Sequence, residues 1–354
     1  MFLPISGIDR ATPASSEKRY SQTEQGSGDR LVWMDTLRGS AILLVILLHA
    51  SLMTELFDKA PWEPLVHLNR LFSPYRMALL MLLSGMLLAH SLCRPLLEYT
   101  LRKVATLLYP YLIWTAAYGF IVHPAGVTAP ILWIGGTYLW FILFLFSYYM
   151  IAVLVARIPT SIILVLSFSL SLISPDGTKY MENYLYLMGF FFLGHYLSSR
   201  QMILSNFTSP RALIWAVPIS IGFSLVSVAT GGINYKVEYL IPALAGTIVL
   251  IALAQRISRT GWSEELNFIG RNSVVFFVIH YPAIYIFMAL FLWLGMDSAM
   301  ALTGSAFAGS MCICWTAAQL RERLAFSEYL YSFPIKGILS SMERVGLFLR
   351  TERH

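Results

Sequence analysis

The sequence predicts an all-α membrane protein that crosses the bilayer about ten times. Of its 354 residues, 57% are hydrophobic and only 12% are charged, and the mean hydropathy is +0.66. A soluble domain of this size needs more charge to cover its surface. Apolar runs long enough to cross the hydrocarbon core recur along the chain, which is typical of a polytopic membrane protein.

The apolar runs divide the chain into two tails and one transmembrane domain. Residues 1–31 are polar, rich in Ser, Gln and Gly, and lack the apolar core of a signal peptide, so they are predicted to be a disordered tail. The transmembrane domain covers 32–318, and a C-terminal tail covers 319–354. The predicted spans, of which the fifth and sixth are short, are 32–54, 72–92, 104–123, 137–156, 159–174, 181–198, 212–229, 237–256, 272–294 and 299–318.

The distribution of positive charge predicts that both termini are cytoplasmic. With the N-terminus inside, most of the 25 lysines and arginines fall in cytoplasmic loops and tails, which is the usual bias of membrane proteins. The orientation of the protein in the membrane thus accounts for its excess of lysine and arginine, and no nucleic-acid partner is expected. The three cysteines form neither a disulfide framework nor a metal-binding pattern, so no metal site is expected. The expected location is the cell membrane, of a bacterial inner-membrane type.

Three ionisable residues interrupt the first span. On an ideal helix, Asp35, Arg38 and His49 fall within roughly 60° of one another around the axis, and Arg38 and His49 are separated by about 16 Å. Such a polar stripe must face protein or water rather than lipid. For Asp35 and Arg38, an interfacial ion pair and a functional role are both open. His49 is predicted to be a functional residue.

Arg76 is predicted near the outer end of the second span. Because that span returns from the outside and begins near Leu71, Arg76 should lie about 7 Å below the outer surface, at a depth similar to His49. Two interpretations are open for it. The side chain either snorkels as an anchor at the membrane edge or acts beside His49.

Several segments, in this order along the chain, resemble the acyltransferase 3 family of membrane O-acyltransferases. They are Met-Asp-Thr-Leu-Arg-Gly-Ser-Ala (34–41) followed by His49, then 75–86, Arg102-Lys103 with 107–114, 138–142 and 270–282. One position departs from the family pattern. The family often shows Arg-x-x-Arg before the third helix, whereas Ala105 stands at the second Arg position here, and Lys103 is the charge that can replace it.

The resemblance implies a ten-helix enzyme that moves an acyl group, often acetyl or succinyl, from cytoplasmic acyl-CoA to a hydroxyl. Acceptors in the family are exported or envelope glycans, glycolipids and some small metabolites. Acyl-CoA, with acetyl-CoA as the expected form, is therefore a cosubstrate, and no permanently bound cofactor is expected. Only a short tail follows the last span, so a second, esterase-like domain is not expected on this chain.

Acyl transfer to an alcohol needs a base for the hydroxyl proton and donors for the oxyanion. Histidine suits the first task, because its unperturbed pKa of about 6.5 allows both protonation states near neutrality. We expect His49 to be the general base and Arg76 to stabilise the oxyanion. Asp35 lies about 21 Å from His49 along the helix, too far to contact it. We therefore expect Asp35 and Arg38 to shape the cytoplasmic entrance for the donor.

Four further residues are candidates with a competing structural interpretation. Arg102 and Lys103 are cations suited to the donor phosphates, but the positive-inside pattern explains them equally well. Trp140 is a candidate for the acceptor pocket or for an aromatic belt at the membrane interface. His280, near mid-membrane, is either a pocket residue or a core histidine bonded to a neighbour, and Pro282 should free a carbonyl one turn back.

A transporter or flippase for a polar lipid or glycan is the alternative function. In that case His49, Arg76 and His280 would line the transport pathway. Both functions predict buried polar residues, but only a transferase consumes acyl-CoA in detergent, where no membrane separates two compartments.

Overall fold

The computed structural model describes residues 14–174, 179–200, 206–233, 235–261, 263–335, 337 and 339–341, and within those ranges it contains helices and no strand. The predicted all-α class is therefore confirmed. The helices are α1 (Ala14–Leu56), α2 (Glu63–Met86), α3 (Leu88–Leu92), α4 (Leu96–Lys103), α5 (Tyr109–Val122), α6 (Pro130–Trp133), α7 (Trp140–Leu154), α8 (Thr160–Leu172), α9 (Lys179–Ser199), α10 (Pro210–Ala229), α11 (Leu240–Ile257), α12 (Ser263–Arg271), α13 (Ser273–Trp293) and α14 (Ala299–Arg323).

The described helices agree with a polytopic membrane protein. Seven helical stretches are long and apolar enough to cross a bilayer, and two shorter apolar helices, α7 and α8, occupy the predicted fourth and fifth spans. Helix α9 occupies the sixth. Each predicted span thus coincides with a helix, and the number that crosses the membrane stays a prediction.

Two helix starts differ from the sequence-based expectation. Helix α1 begins at Ala14, so the backbone of 14–31 is helical where disorder was predicted, and residues 1–13 lie outside the described part. Helix α2 begins at Glu63, with a proline at its first turn, rather than near residue 72. Arg76 therefore lies deeper along its helix than predicted.

Helix α1 lies at the centre of the bundle, where it packs against α2, α11, α12, α13 and α14. Its contact with α12 depends on two glycines. A Cβ atom on Gly39 would collide with the Leu266 carbonyl, and one on Gly270 would collide with the Asp35 carbonyl. The glycine of the Arg-Gly pair in the first span is thus explained by close backbone packing, the usual role of small residues between membrane helices.

Proline inside α2 leaves a carbonyl that a neighbouring helix satisfies. Pro74 has no N–H, so the carbonyl of Arg70 loses its helical partner. The hydroxyl of Ser227 on α10 donates to that oxygen at 2.6 Å. Pro74 thus interrupts the hydrogen bonds within α2 and leaves a carbonyl through which α2 is bonded to α10.

Candidate active site

His49 on α1 and His280 on α13 form a hydrogen-bonded pair in the interior of the bundle. Nδ1 of His49 lies 3.0 Å from Nε2 of His280, and the ring centroids are 4.9 Å apart. His280 has no exposed surface, whereas His49 is only partly buried. The pair therefore has one enclosed member and one member with accessible surface.

The hydrogen bonds assign the neutral tautomer of each ring. Nδ1 of His280 lies 3.1 Å from the carbonyl oxygen of Phe276, and only a protonated nitrogen can donate to a carbonyl. Nε2 of His280 then accepts from Nδ1–H of His49, which also lies 3.0 Å from the Val45 carbonyl. The unprotonated nitrogen of His49 is consequently Nε2, which has no hydrogen-bond partner in the described chain.

Two tyrosines enclose one side of the histidine pair. The rings of Tyr138 and Tyr281 stack with centroids 4.7 Å apart, and the Tyr281 ring lies edge-on to His49 at 5.3 Å. Pro282 leaves the Val278 carbonyl without its helical donor, as expected, and the Tyr138 hydroxyl donates to that oxygen. The motif containing His280 is thereby tied to the segment that precedes α7.

Arg76 is buried, with 4% of its surface exposed. Its Nη1 donates to the carbonyl of Leu44 on α1 at 3.1 Å, and Nε has no partner in the described residues. Burial rules out the lipid-edge anchor that the sequence left open. Leu44 precedes His49 by little more than one helical turn, so Arg76 is near the pair, although no hydrogen bond joins Arg76 to His49.

Arg76 also lines a cavity of about 590 Å³, which we call the Arg76 cavity. Trp140, at the start of α7, lines the same cavity. The Oδ1 atom of Asn183, another lining residue, is buried without a partner. The remaining lining residues are Leu48, Leu52, Ser73, Phe144, Tyr180, Ile233 and Tyr235. The structure therefore brings Arg76 and Trp140 to one space next to the His49 segment.

A second, narrower space, which we call the Arg38 slot, has a volume of about 70 Å³. Arg38 lines it and pairs with Asp35 at 3.2 Å, with 18% and 22% of the two side chains exposed. Its other lining residues are almost all apolar and include Phe277, whose ring centroid lies 5.7 Å from that of His280. The slot is thus lined by an arginine and by a ring that packs near the buried histidine.

Arg102 and Lys103 line a third space of about 540 Å³, which we call the basic cavity. Arg102 pairs with Glu98 at 2.7 Å, and Lys103 Nζ lies 3.5 Å from the centre of the Tyr149 ring. The Tyr149 hydroxyl donates to the carbonyl of Ser84 at 2.9 Å, and Ser84 lines the Arg38 slot. The two spaces are therefore adjacent.

The predicted site residues do not line a single pocket but form four separate pairs. The structure joins His49 with His280, Arg76 with Trp140, Asp35 with Arg38, and Arg102 with Lys103. Tyr138 and Tyr281 lie in the segments that resemble the family, but no role is predicted for them, although Tyr281 directly follows His280 in the sequence. That adjacency was the available signal for Tyr281, and nothing in the sequence points to the Tyr138 contact.

Comparison with known proteins identifies a family for this chain. A family model described as an acyltransferase domain, of the acyltransferase 3 type, matches residues 31–319. No curated protein and no solved structure matches the chain. The matched range contains His49, His280 and Arg76, and also Arg38, Arg102 and Lys103.

Proposed function

This chain belongs to the acyltransferase 3 family, and from that premise we propose a specific membrane O-acyltransferase reaction. The enzyme moves a short acyl group, acetyl or succinyl, from cytoplasmic acyl-CoA to a hydroxyl of an exported glycan, glycolipid or small metabolite. The observation that carries this proposal is the lone pair that the hydrogen-bond network leaves on Nε2 of His49.

His49 is the general base of the proposed reaction. Its Nε2 takes the proton of the acceptor hydroxyl while the oxygen attacks the thioester carbonyl. The tetrahedral intermediate then collapses, the carbon–sulfur bond breaks, and the thiolate of CoA takes the proton back from His49. The acceptor leaves as an ester and CoA as a free thiol, so no oxidant or metal is required.

His280 fixes the base in its working form. Because its Nε2 accepts from Nδ1–H of His49 at 3.0 Å, the reactive lone pair is held on the opposite nitrogen. The same contact stabilises the imidazolium that forms when His49 is protonated. Arg76 supplies positive charge for the oxyanion, and its buried guanidinium meets little competing water.

Donor and acceptor reach His49 from different sides in this proposal. The phosphates of the donor stay with Arg102 and Lys103, and the thioester passes Asp35 and Arg38 into the Arg38 slot. The slot, at about 70 Å³, is much smaller than the Arg76 cavity, at about 590 Å³, which favours a small acyl group on the donor side. The acceptor occupies the Arg76 cavity against Trp140.

The test uses the full-length protein purified in detergent, with acetyl-CoA and a cell-envelope extract as acceptor. We expect acetyl-CoA to be consumed, with CoA thiol released and an acylated product detected by mass spectrometry. His49→Gln should lower the rate by about 10² to 10⁴, the usual contribution of a general base. His90→Gln, an exposed histidine on α3, is the matched control and should keep the native rate.

Two results would contradict the proposal. Full activity of the His49→Gln variant would remove His49 as the base. A native protein that consumes no acetyl-CoA or succinyl-CoA in detergent would instead behave as expected for a transporter.

A further inference from the structure

A segment beyond the range matched by the family encloses the basic cavity. This C-terminal segment, residues 325–335, follows α14 and begins with a 3₁₀ turn at Ala325–Leu330. The family match ends at residue 319. The wall that the segment contributes therefore lies outside the matched range.

The segment is attached to the helical core through a carbonyl that the core leaves free. Between α4 and α5 the chain forms a π-helical turn, Val104–Leu108, in which the N–H of Tyr109 donates to the carbonyl of Val104. The next possible donor to the Ala105 carbonyl would be Pro110, which has no N–H. The N–H of Phe333 donates to that carbonyl at 3.0 Å.

Two further hydrogen bonds hold the segment against α5. The hydroxyl of Tyr109 donates to the carbonyl of Tyr329 at 2.8 Å, and the indole N–H of Trp114 donates to the carbonyl of Leu330 at 2.9 Å. Both bonds use the backbone of the segment. The side chain of Tyr329 is therefore free of this anchoring role and lines the cavity.

The enclosed space combines cations with aromatic rings. Arg94, Arg102 and Lys103 line one side, and Tyr329 and Phe333 line the other. Glu328 also lines the cavity, and Glu98 pairs with both arginines. Lys103 Nζ donates to the Ser91 hydroxyl at 3.2 Å and packs on the Tyr149 ring, but it has no carboxylate partner among the described ion pairs, so no acid neutralises its charge.

We propose that the C-terminal segment completes a subsite for the phosphorylated nucleotide end of the thioester donor, with the base stacked on Tyr329. This inference rests on the proposed function and adds the C-terminal wall to it. Phosphate groups bind arginine and lysine through charge-assisted hydrogen bonds. Any planar base can stack on an aromatic ring, because every base has a π-face. A volume of about 540 Å³ is in the range of small-ligand sites.

The position of the subsite agrees with the direction in which the donor must extend. Lys103 packs on Tyr149, whose hydroxyl bonds to Ser84 at the Arg38 slot. A donor with its nucleotide in the basic cavity therefore has its thioester end next to the slot that leads toward His280. Phosphates need not enter the hydrocarbon region.

The experiment measures binding of CoA and of pantetheine, which lacks the nucleotide, to full-length protein in detergent. We expect Tyr329→Ala to weaken CoA binding on the order of 10-fold, as for loss of one stacked base, and to leave pantetheine binding unchanged. Tyr329→Phe keeps the ring and should bind CoA normally. Phe326→Ala is the matched control, because Phe326 is 68% exposed and does not line the cavity.

The outcomes separate this inference from the proposed function. Unchanged CoA affinity in Tyr329→Ala, with native acyl transfer, would overturn the subsite and leave the proposed function standing. A native protein that binds neither CoA nor pantetheine would overturn the CoA donor itself. Repeating the titration in nanodiscs with neutral or anionic lipids tests a lipid headgroup as the occupant. If anionic lipid displaces CoA equally in native and Tyr329→Ala protein, the cavity holds lipid and the inference fails.

Discussion

The hydroxyl of Tyr138 donates a hydrogen bond to the carbonyl of Val278, the oxygen that Pro282 leaves without a helical donor. The same tyrosine ring lies edge-on to His280, with centroids 5.4 Å apart. One side chain therefore satisfies the break in α13 and packs against the imidazole located in that turn. Correct placement of His280 should depend on this contact.

Tyr138→Phe tests that dependence. The substitution removes the hydroxyl and leaves a buried carbonyl unsatisfied, so we expect a loss of about 1 kcal/mol in the free energy of unfolding. We also expect acyl transfer to fall about 10-fold, because a small shift of a positioned group has a large effect on rate.

Tyr148→Phe is the control. Its hydroxyl donates to the Tyr184 carbonyl at 2.6 Å, away from the histidines, so stability should fall similarly while activity is retained. Equal activity in the two variants would contradict the prediction.

Substitution of His280 should show whether this residue positions the base, His49, or only fills space in the core. In His280→Leu the Nδ1–H of His49 loses the imidazole acceptor and keeps only the Val45 carbonyl, and we expect kcat to fall about 10- to 100-fold, part of the contribution of a general base, with the KM for acetyl-CoA unchanged. His280→Gln places an amide oxygen where Nε2 stood and should retain most of kcat. The measurement is steady-state kinetics of both variants. Equal losses in the two variants, or a loss expressed in KM, would assign His280 a purely structural role.

The helical period of the sequence was sufficient to predict the first helix and its polar stripe. Asp35, Arg38 and His49 follow from a spacing of 3.6 residues per turn, and Pro282 follows from the chemistry of proline. The hydrogen-bond partner of His49 could not be predicted in this way. His280 is 231 residues away, and no local pattern states which helices meet in the bundle.

The depth of Arg76 shows a second limit of sequence reasoning. The apolar run begins near residue 72, but the helix begins at Glu63, because the polar turn before the run is compatible with a helix. Hydropathy locates the hydrophobic part of a helix, not its first residue. The basic cavity was likewise out of reach, since its far wall comes from residues 325–335, more than 200 positions after Lys103.

Gly39→Ala should destabilise the protein although it adds a single methyl group. The Cβ would meet the Leu266 carbonyl, so α1 and α12 must separate, at a cost typical of overpacking, about 1–3 kcal/mol. Gly304→Ala on α14 is the control, because a Cβ there has nothing within 4 Å. Thermal unfolding in detergent should show a lower midpoint for Gly39→Ala and a native midpoint for Gly304→Ala. Similar midpoints for the two variants would mean that the close approach of the two backbones is not needed.

The predicted orientation can be tested at Cys93, which is exposed at the end of α3. If both termini are cytoplasmic, the loop containing Cys93 is cytoplasmic too. A charged maleimide that cannot cross the membrane should then label Cys93 only after the cells are permeabilised. Cys314 is buried, and Cys312→Ala removes the other exposed thiol.

Ala60→Cys provides the opposite control for that labelling. Ala60 is exposed in the loop between α1 and α2, which the same orientation places outside, so its thiol should react in intact cells. Labelling of Cys93 in intact cells, with protection of Ala60→Cys, would invert the topology. In that case the basic cavity would face away from cytoplasmic acyl-CoA, because Arg94 and Arg102 lie on the same side as Cys93. The orientation of one loop therefore decides whether the donor side assigned to this enzyme is correct.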